Sequence, residues 1–303
     1  MDLIYHGSTF EFNLRNVNII KLSNTEPSLR IKCFICSMLS FSLHQNSPEL
    51  PWVTFVHGAG GSSTIWYKQL KAFSSNFNVL LIDLRGHGRS KAPIYERIKN
   101  YNFSTIGDEV LEVLDHLKIQ STHWIGISLG TIIIRDITER HPQRSLSMIM
   151  GGAVMKLNKR GQVLMRTGAA FKSVIPYMVL YKFFAWVIMP KKTHKEARNL
   201  FVREARKLYQ REFKRWFTLV AEVNPLLKFF RFKDSNVPTL YIMGSEDHMF
   251  LPSIRKIVED HRSALLHVIE NCGHVVNIEQ PEVFNTEAIK FLNSIDEKHK
   301  RTC

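Results

Sequence analysis

The chain has 303 residues, 45% of them hydrophobic, with 41 Lys plus Arg against 27 Asp plus Glu and a net charge of +14. That length and apolar content allow a sizeable buried core in one large domain, and no apolar run reaches the roughly 18 residues needed to cross a bilayer. The opening stretch, MDLIYHGSTFEF, lacks the basic start and apolar run of a secretory signal, so a soluble, cytoplasmic protein is expected.

In chain order, the apolar patch Cys33 to Leu43 is too short for a membrane span and is read as strand. Its CFIC, with Cys33 and Cys36, lacks the second cysteine pair of a zinc site, and Cys272 and Cys303 lie too far along the chain for a disulfide framework. The first 50 residues are expected to supply leading strands. From Trp52 onward, short apolar runs alternate with segments of helical period, the pattern of successive βα units around a mostly parallel sheet. Strands are predicted at WVTFV (52–56), NVLLID (78–83), THWIGI (122–127) and SLSMIM (145–150), with helices near 64–73, 104–117 and 129–140 between them. Ser104 is the predicted cap of the second helix, ahead of Asp108 in its first turn.

The alternation then stops. Residues 154–235 show no strand signal, only basic and aromatic stretches of helical spacing such as YMVLYKFFAWVIM, interrupted by Pro176 and Pro190. This segment holds 19 Lys plus Arg against 5 acidic residues and so carries the whole charge excess. A localised excess without a recognised motif does not point to nucleic acid, and no nucleic-acid partner is expected. The α/β rhythm returns with VPTLYIMG, a helix over 251–260, strand ALLHVIE (264–270) and a last helix over 282–295. Residues 1–153 and 236–303 are therefore read as one α/β core domain, and 154–235 as an inserted helical cap.

GISLG (126–130) sits between a strand and a helix, the setting in which G-x-S-x-G holds a serine on a tight turn at the carboxyl edge of a sheet. The helix start behind it favours negative charge. A serine hydroxyl needs a base, and the base needs a carboxylate. Asp247 in MGSEDHMF and His274 in NCGHVVNIEQP both follow predicted strands and so leave the same sheet edge as Ser128. Glu246 and His248 are the rivals of Asp247, and His123, inside a strand, is read as structural. HGAGG (57–61) follows the first strand of the alternation and can turn amides inward. It lacks the Lys-Ser/Thr of a phosphate loop and the spacing of a dinucleotide loop. Its Ala59 and the residue after the serine, Leu129, are the candidate oxyanion donors.

Together HGAGG, DLRGHGRS (83–90), GISLG, GSEDH and GHVVNIEQPEVF resemble the α/β-hydrolase fold family, in particular its cap-bearing members, which include carboxylesterases, lipases, lactonases and C–C bond hydrolases. The resemblance spans Trp52 to Gly151 and Val237 to about Leu292. It implies that Ser128, Asp247 and His274 act as nucleophile, acid and base, that Ala59 and Leu129 form the oxyanion hole, and that no metal or organic cofactor is required. DLRGHGRS is read as structural, with Arg85 shaping a loop beside the site. The aromatic cap points to a hydrophobic small-molecule ester as substrate, and its basic character to peripheral contact with an anionic membrane. Acyl transfer, C–C cleavage and lactone hydrolysis use the same residues and remain alternatives, as does a non-catalytic ligand receptor or membrane-surface binder.

Overall fold

The computed structural model describes residues 4–6, 9–11, 38–90, 101–156, 161–163, 167–168, 175–221 and 223–302. The chain divides into two units, Met1–Met38 and Leu39–Cys303. In the first, Ile4–His6 (β1) pairs antiparallel with Thr9–Glu11 (β2) as a separate two-stranded sheet. Cys33, Cys36 and Cys303 lie outside the described residues.

The second unit is built on a seven-stranded sheet. Of the leading strands expected before Trp52, Phe41–His44 (β3) alone among the described residues joins it, as an antiparallel edge beside Asn78–Ile82 (β5). Trp52–Val56 (β4), β5, Thr122–Ile127 (β6), Ser145–Gly151 (β7), Thr239–Gly244 (β8) and Ala264–Ile269 (β9) are all parallel, in the order β3-β5-β4-β6-β7-β8-β9. β5, β6 and β8 are buried along their whole length. This is why they read as continuous apolar runs rather than alternating ones: helices cover both faces of a parallel sheet.

The helices between these strands follow their apolar periods. Tyr67–Ser74 (α1) is preceded by a 3₁₀ turn at Ser63–Trp66. Phe73 of the helix and Trp66 of the turn pack against Phe55, with ring centroids 5.2 and 4.9 Å from it. Phe103–His116 (α2) buries Phe103, Ile106, Val110 and Leu114, the i, i+3, i+7, i+11 stripe. Its N-cap is Asn102, whose Oδ1 accepts the Thr105 N–H at 2.7 Å, and Ser104 instead donates to Asp136 Oδ1. Both residue types cap well, so the extended backbone at 102 decided between them. Leu129–Arg140 (α3) is almost entirely buried.

Between β7 and β8 lie Tyr177–Ile188 (α4), Lys195–Ala205 (α5), Gln210–Ala221 (α6) and Asn224–Phe232 (α7), with no strand among the described residues there. Pro176 caps the start of α4 and Pro190 follows its end, as their missing N–H groups require. Leu251–Asp260 (α8), the short Val276–Glu279 (α9) and Pro281–Thr302 (α10) complete the fold. The last helix continues seven residues past the predicted Ile295, through polar helix formers that show no apolar period.

This topology positions the site. The chain leaves β4 outward to β5, then returns to β6 on β4's other side, so the strand order reverses at β4. Val56 stands beside Gly126, Ile127 beside Gly151 and Gly244 beside Ile269. The loops after β4, β6, β8 and β9 therefore leave one edge, and a crevice opens where the order reverses.

Candidate active site

Ser128 occupies the turn between β6 and α3 with φ 53° and ψ −119°, a backbone that L side chains rarely adopt. The turn is possible because the chain passes close to its neighbours on either side. A Cβ on Gly126 would lie 2.6 Å from Ile134 Cδ1, and one on Gly130 would overlap the Val56 carbonyl oxygen. Both glycines are needed for close approach, and the strain is carried by the serine.

The structure brings Ser128, His274 and Asp247 together in one hydrogen-bonded chain. Ser128 Oγ donates to His274 Nε2 at 2.9 Å, and His274 Nδ1 donates to Asp247 Oδ2 at 2.7 Å. The other Asp247 oxygen accepts the Phe250 N–H at 3.2 Å, which fixes the carboxylate plane. Asp247 and His274 are buried, 1% and 3% exposed. His274 is further held by Glu279, whose carboxylate accepts the Gly273 N–H at 2.8 Å and the Val275 N–H at 3.1 Å. Glu279 thus clamps the backbone on both sides of the imidazole. It lay unassigned in the sequence stretch HVVNIEQP, where a carboxylate one turn after a glycine-histidine pair is the signal that could have found it.

The rivals go elsewhere. Glu246 pairs with Lys191 at 2.6 Å and His194 at 2.8 Å, and the bond from Lys191, against a smaller opposing effect of burial, holds its carboxyl below the usual range. His248 is exposed. His123 is locked between Ser147 Oγ and Asp296 inside the sheet, as a structural histidine should be.

Ala59 and Leu129 line the same cavity as Ser128, and neither amide has a hydrogen-bond partner among the described residues. Two neutral imidazoles shape the loop that carries Ala59. His57 accepts the Leu84 N–H on Nε2 at 3.0 Å and donates from Nδ1 to the Gly58 carbonyl at 2.8 Å. Complete burial pushes its pKa down, outweighing the pull of Asp83. His87 accepts the Gly60 N–H on Nε2 at 3.0 Å and donates from Nδ1 to the Arg85 carbonyl at 3.0 Å. Arg85 is fully buried and forked onto Glu109, so DLRGHGRS is a scaffold loop, as the sequence suggested.

The helices between β7 and β8, the segment read from the sequence as a cap, lie over this floor. Tyr181 of α4 donates its hydroxyl to the Ala59 carbonyl at 3.1 Å, and Trp216 of α6 donates Nε1–H to the Arg85 carbonyl at 3.2 Å. Beneath them is a cavity of about 180 Å³, walled by Phe184, Phe213, Phe217 and Leu208 from the cap and by Ile132 and Phe250 from the core. An apolar cavity of roughly 150 Å³ holds benzene. This one is of similar size or slightly larger. No cluster of His, Cys, Asp or Glu suited to a metal ion occurs among the described residues, and none of their helices is long and apolar enough to cross a membrane.

A strained serine at the switch point of a parallel sheet, with an acid–imidazole pair on neighbouring loops, defines a class. The sequence profile of the alpha/beta hydrolase fold matches residues 51–281, and the chain belongs to that family of hydrolases. RutD of Agrobacterium fabrum, whose own assignment as a carbamate hydrolase is provisional, is 27% identical over 275 residues, covering 86% of this chain and 100% of its own. The 3-oxoadipate enol-lactonase 1 of Acinetobacter baylyi is 24% identical, covering 84% of this chain and 94% of its own. A hydrolase from Pseudomonas aeruginosa shares the fold with a TM-score of 0.72 at 23% identity, over 84% of this chain and 94% of that one.

Proposed function

We propose that the protein is a serine hydrolase of carboxylic esters whose acyl or aryl group is apolar and of modest size. The observation that carries this reading is the continuous chain Ser128–His274–Asp247 opening onto an apolar cavity. In this mechanism His274 Nε2 takes the hydroxyl proton as Ser128 Oγ attacks the ester carbonyl. Asp247 orients the imidazole and stabilises its charged form. The Ala59 and Leu129 amides bind the developing oxyanion, each contributing about 3–4 kcal/mol to the barrier reduction. His274 then gives its proton to the leaving alcohol. A water activated by the same imidazole clears the acyl-enzyme and restores Ser128.

The lining supplies the selectivity. Tyr181 and His87 spend their polar atoms on the protein's own backbone, so the described wall offers substrate mainly aromatic and aliphatic surface. A cyclic ester is a close second substrate class, since ring opening uses the same steps and a relative is named as an enol-lactonase.

The test is turnover of p-nitrophenyl esters of graded acyl length and of a small lactone series, with Ser128→Ala as control. Activity that peaks at short acyl chains, disappears in Ser128→Ala and leaves a mass-detectable acyl adduct on Ser128 is expected. Absence of turnover and adduct with every ester and lactone would overturn the reading.

A further inference from the structure

Helix α4 is apolar on both of its faces. Along its 3.6-residue period, Tyr177, Tyr181, Phe184 and Ile188 fall on one side, and this side faces inward: Tyr181, Phe184 and Ile188 line the cavity, and the rings of Tyr177 and Tyr181 contact Phe213 at tilted and edge-to-face angles. Val179, Phe183 and Trp186 fall on the opposite side and are 56%, 47% and 56% exposed. A surface helix ordinarily turns polar residues outward, so a stripe of three large apolar side chains at i, i+4 and i+7 marks a face that meets something apolar.

The charges around the stripe say what. From Pro176 to Lys195 the chain has Lys182, Lys191, Lys192 and Lys195 and no acidic residue, and all four lysines are exposed. Lys182 stands one turn before Trp186 at the border of the stripe, and the other three follow the helix's C-terminal end. Lys191 is shared with Glu246. Aromatic and aliphatic side chains flanked by lysines, with Trp at the boundary, are what an anionic lipid surface accommodates: the apolar stripe enters the headgroup region and the ammonium groups meet lipid phosphates. The excess positive charge of residues 154–235 adds to the same attraction.

We propose that α4 docks the protein on anionic membrane surfaces through Val179, Phe183 and Trp186, with its lysines supplying charge complementarity. The inner face of this helix lines the cavity over Ser128, so docking brings the pocket to within one helix of the lipid phase. On the ester reading above, the substrate is then an apolar ester partitioned into that phase.

The test is co-flotation of the full chain with vesicles of phosphatidylcholine alone and of phosphatidylcholine with phosphatidylserine. Each lysine close to an anionic surface contributes on the order of a fivefold increase in affinity. Binding to the anionic vesicles at least about tenfold tighter than to the neutral ones, and weakening with added salt, is therefore expected. The combined variant Val179→Ser, Phe183→Ser, Trp186→Ser should lose it while keeping its melting temperature and its turnover of a water-soluble ester. Lys182→Glu with Lys192→Glu should remove the preference for anionic lipid. Vesicle binding is read without turnover, so it stands or falls independently of ester hydrolysis. No flotation with either vesicle, or flotation untouched by the triple variant, would overturn the proposal. So would a dimer in sedimentation that the triple variant dissociates, which assigns the stripe to a second copy, or binding to polyglutamate without binding to vesicles, which assigns it to an acidic protein.

Discussion

The α/β core and the helical cap contribute to one site in different ways. In the core, Ser128, Asp247, His274 and the Ala59 loop sit on turns that leave parallel strands, and strand register places them together. The cap reaches the same place through side-chain tips. Tyr181 touches the Ala59 carbonyl, Trp216 the Arg85 carbonyl, Glu204 receives a bond from Ser62 at 2.9 Å, and His194 meets Glu246. Where the strand ends lie is thus set by backbone hydrogen bonds, which change little with side-chain identity, and His57, His87 and Glu279 then fix the loops that leave them. The position of the helices between β7 and β8 depends on a few named side chains, so it is the easier of the two to alter by substitution.

The comparison can be broken most sharply at the nucleophile. Ser128→Ala removes one hydroxyl from a backbone that the sheet holds, so kcat/KM for the best ester should fall by about 10⁴-fold or more at an unchanged melting temperature. Stopped assays of the two proteins at equal concentration check this. On the cap side, Trp216 is 3% exposed and meets His87 edge to face with centroids 5.1 Å apart. Trp216→Ala should cost about 3–5 kcal/mol in urea denaturation and raise KM, since it leaves a void in the cavity wall. A loss of kcat alone would show instead that the cap acts on chemistry and not on binding.

A smaller effect is expected at Glu279. Glu279→Gln keeps one acceptor for the Gly273 and Val275 amides and turns an N–H donor toward the other, at a cost of about 1–3 kcal/mol for the unsatisfied group. His274 should become less well placed, seen as a lower kcat with KM nearly unchanged. The smallest effect concerns His57. Its folded pKa lies below the unfolded value of about 6.5, so the unfolded chain binds more protons in the window between them. The stability contributed by neutral His57 is present above about pH 6.5 and lost as pH falls through and below it. The melting temperature should fall on acidification, and His57→Asn should flatten that slope.

Much of this was legible locally. β4, β6 and α3 run as predicted because their apolar periods are long and bounded by turn residues. GISLG announced its turn because only glycine fits against Val56 and Ile134. What escaped had no local signal. Asn102 and Ser104 are chemically similar caps, and only backbone geometry separates them. The polar end of α10 carries no period to read. Trp216 lies far along the chain from Arg85 and His87, and the three meet through one carbonyl group.

The sequence alone determined the α/β rhythm, a basic segment of helical period between two predicted strands, and Ser128, Asp247 and His274 as candidates for one proton-sharing chain. Each depends on short-range spacing, which the chain states directly. Only the tertiary structure decided that these three lie within hydrogen-bond reach, that Glu279 grips the histidine loop, that the cavity is small and aromatic, and that α4 turns one apolar face to the site and the other to solvent. Those are facts about which side chains meet across distant segments, and packing settles them by excluding every arrangement that leaves voids or unpaired polar groups.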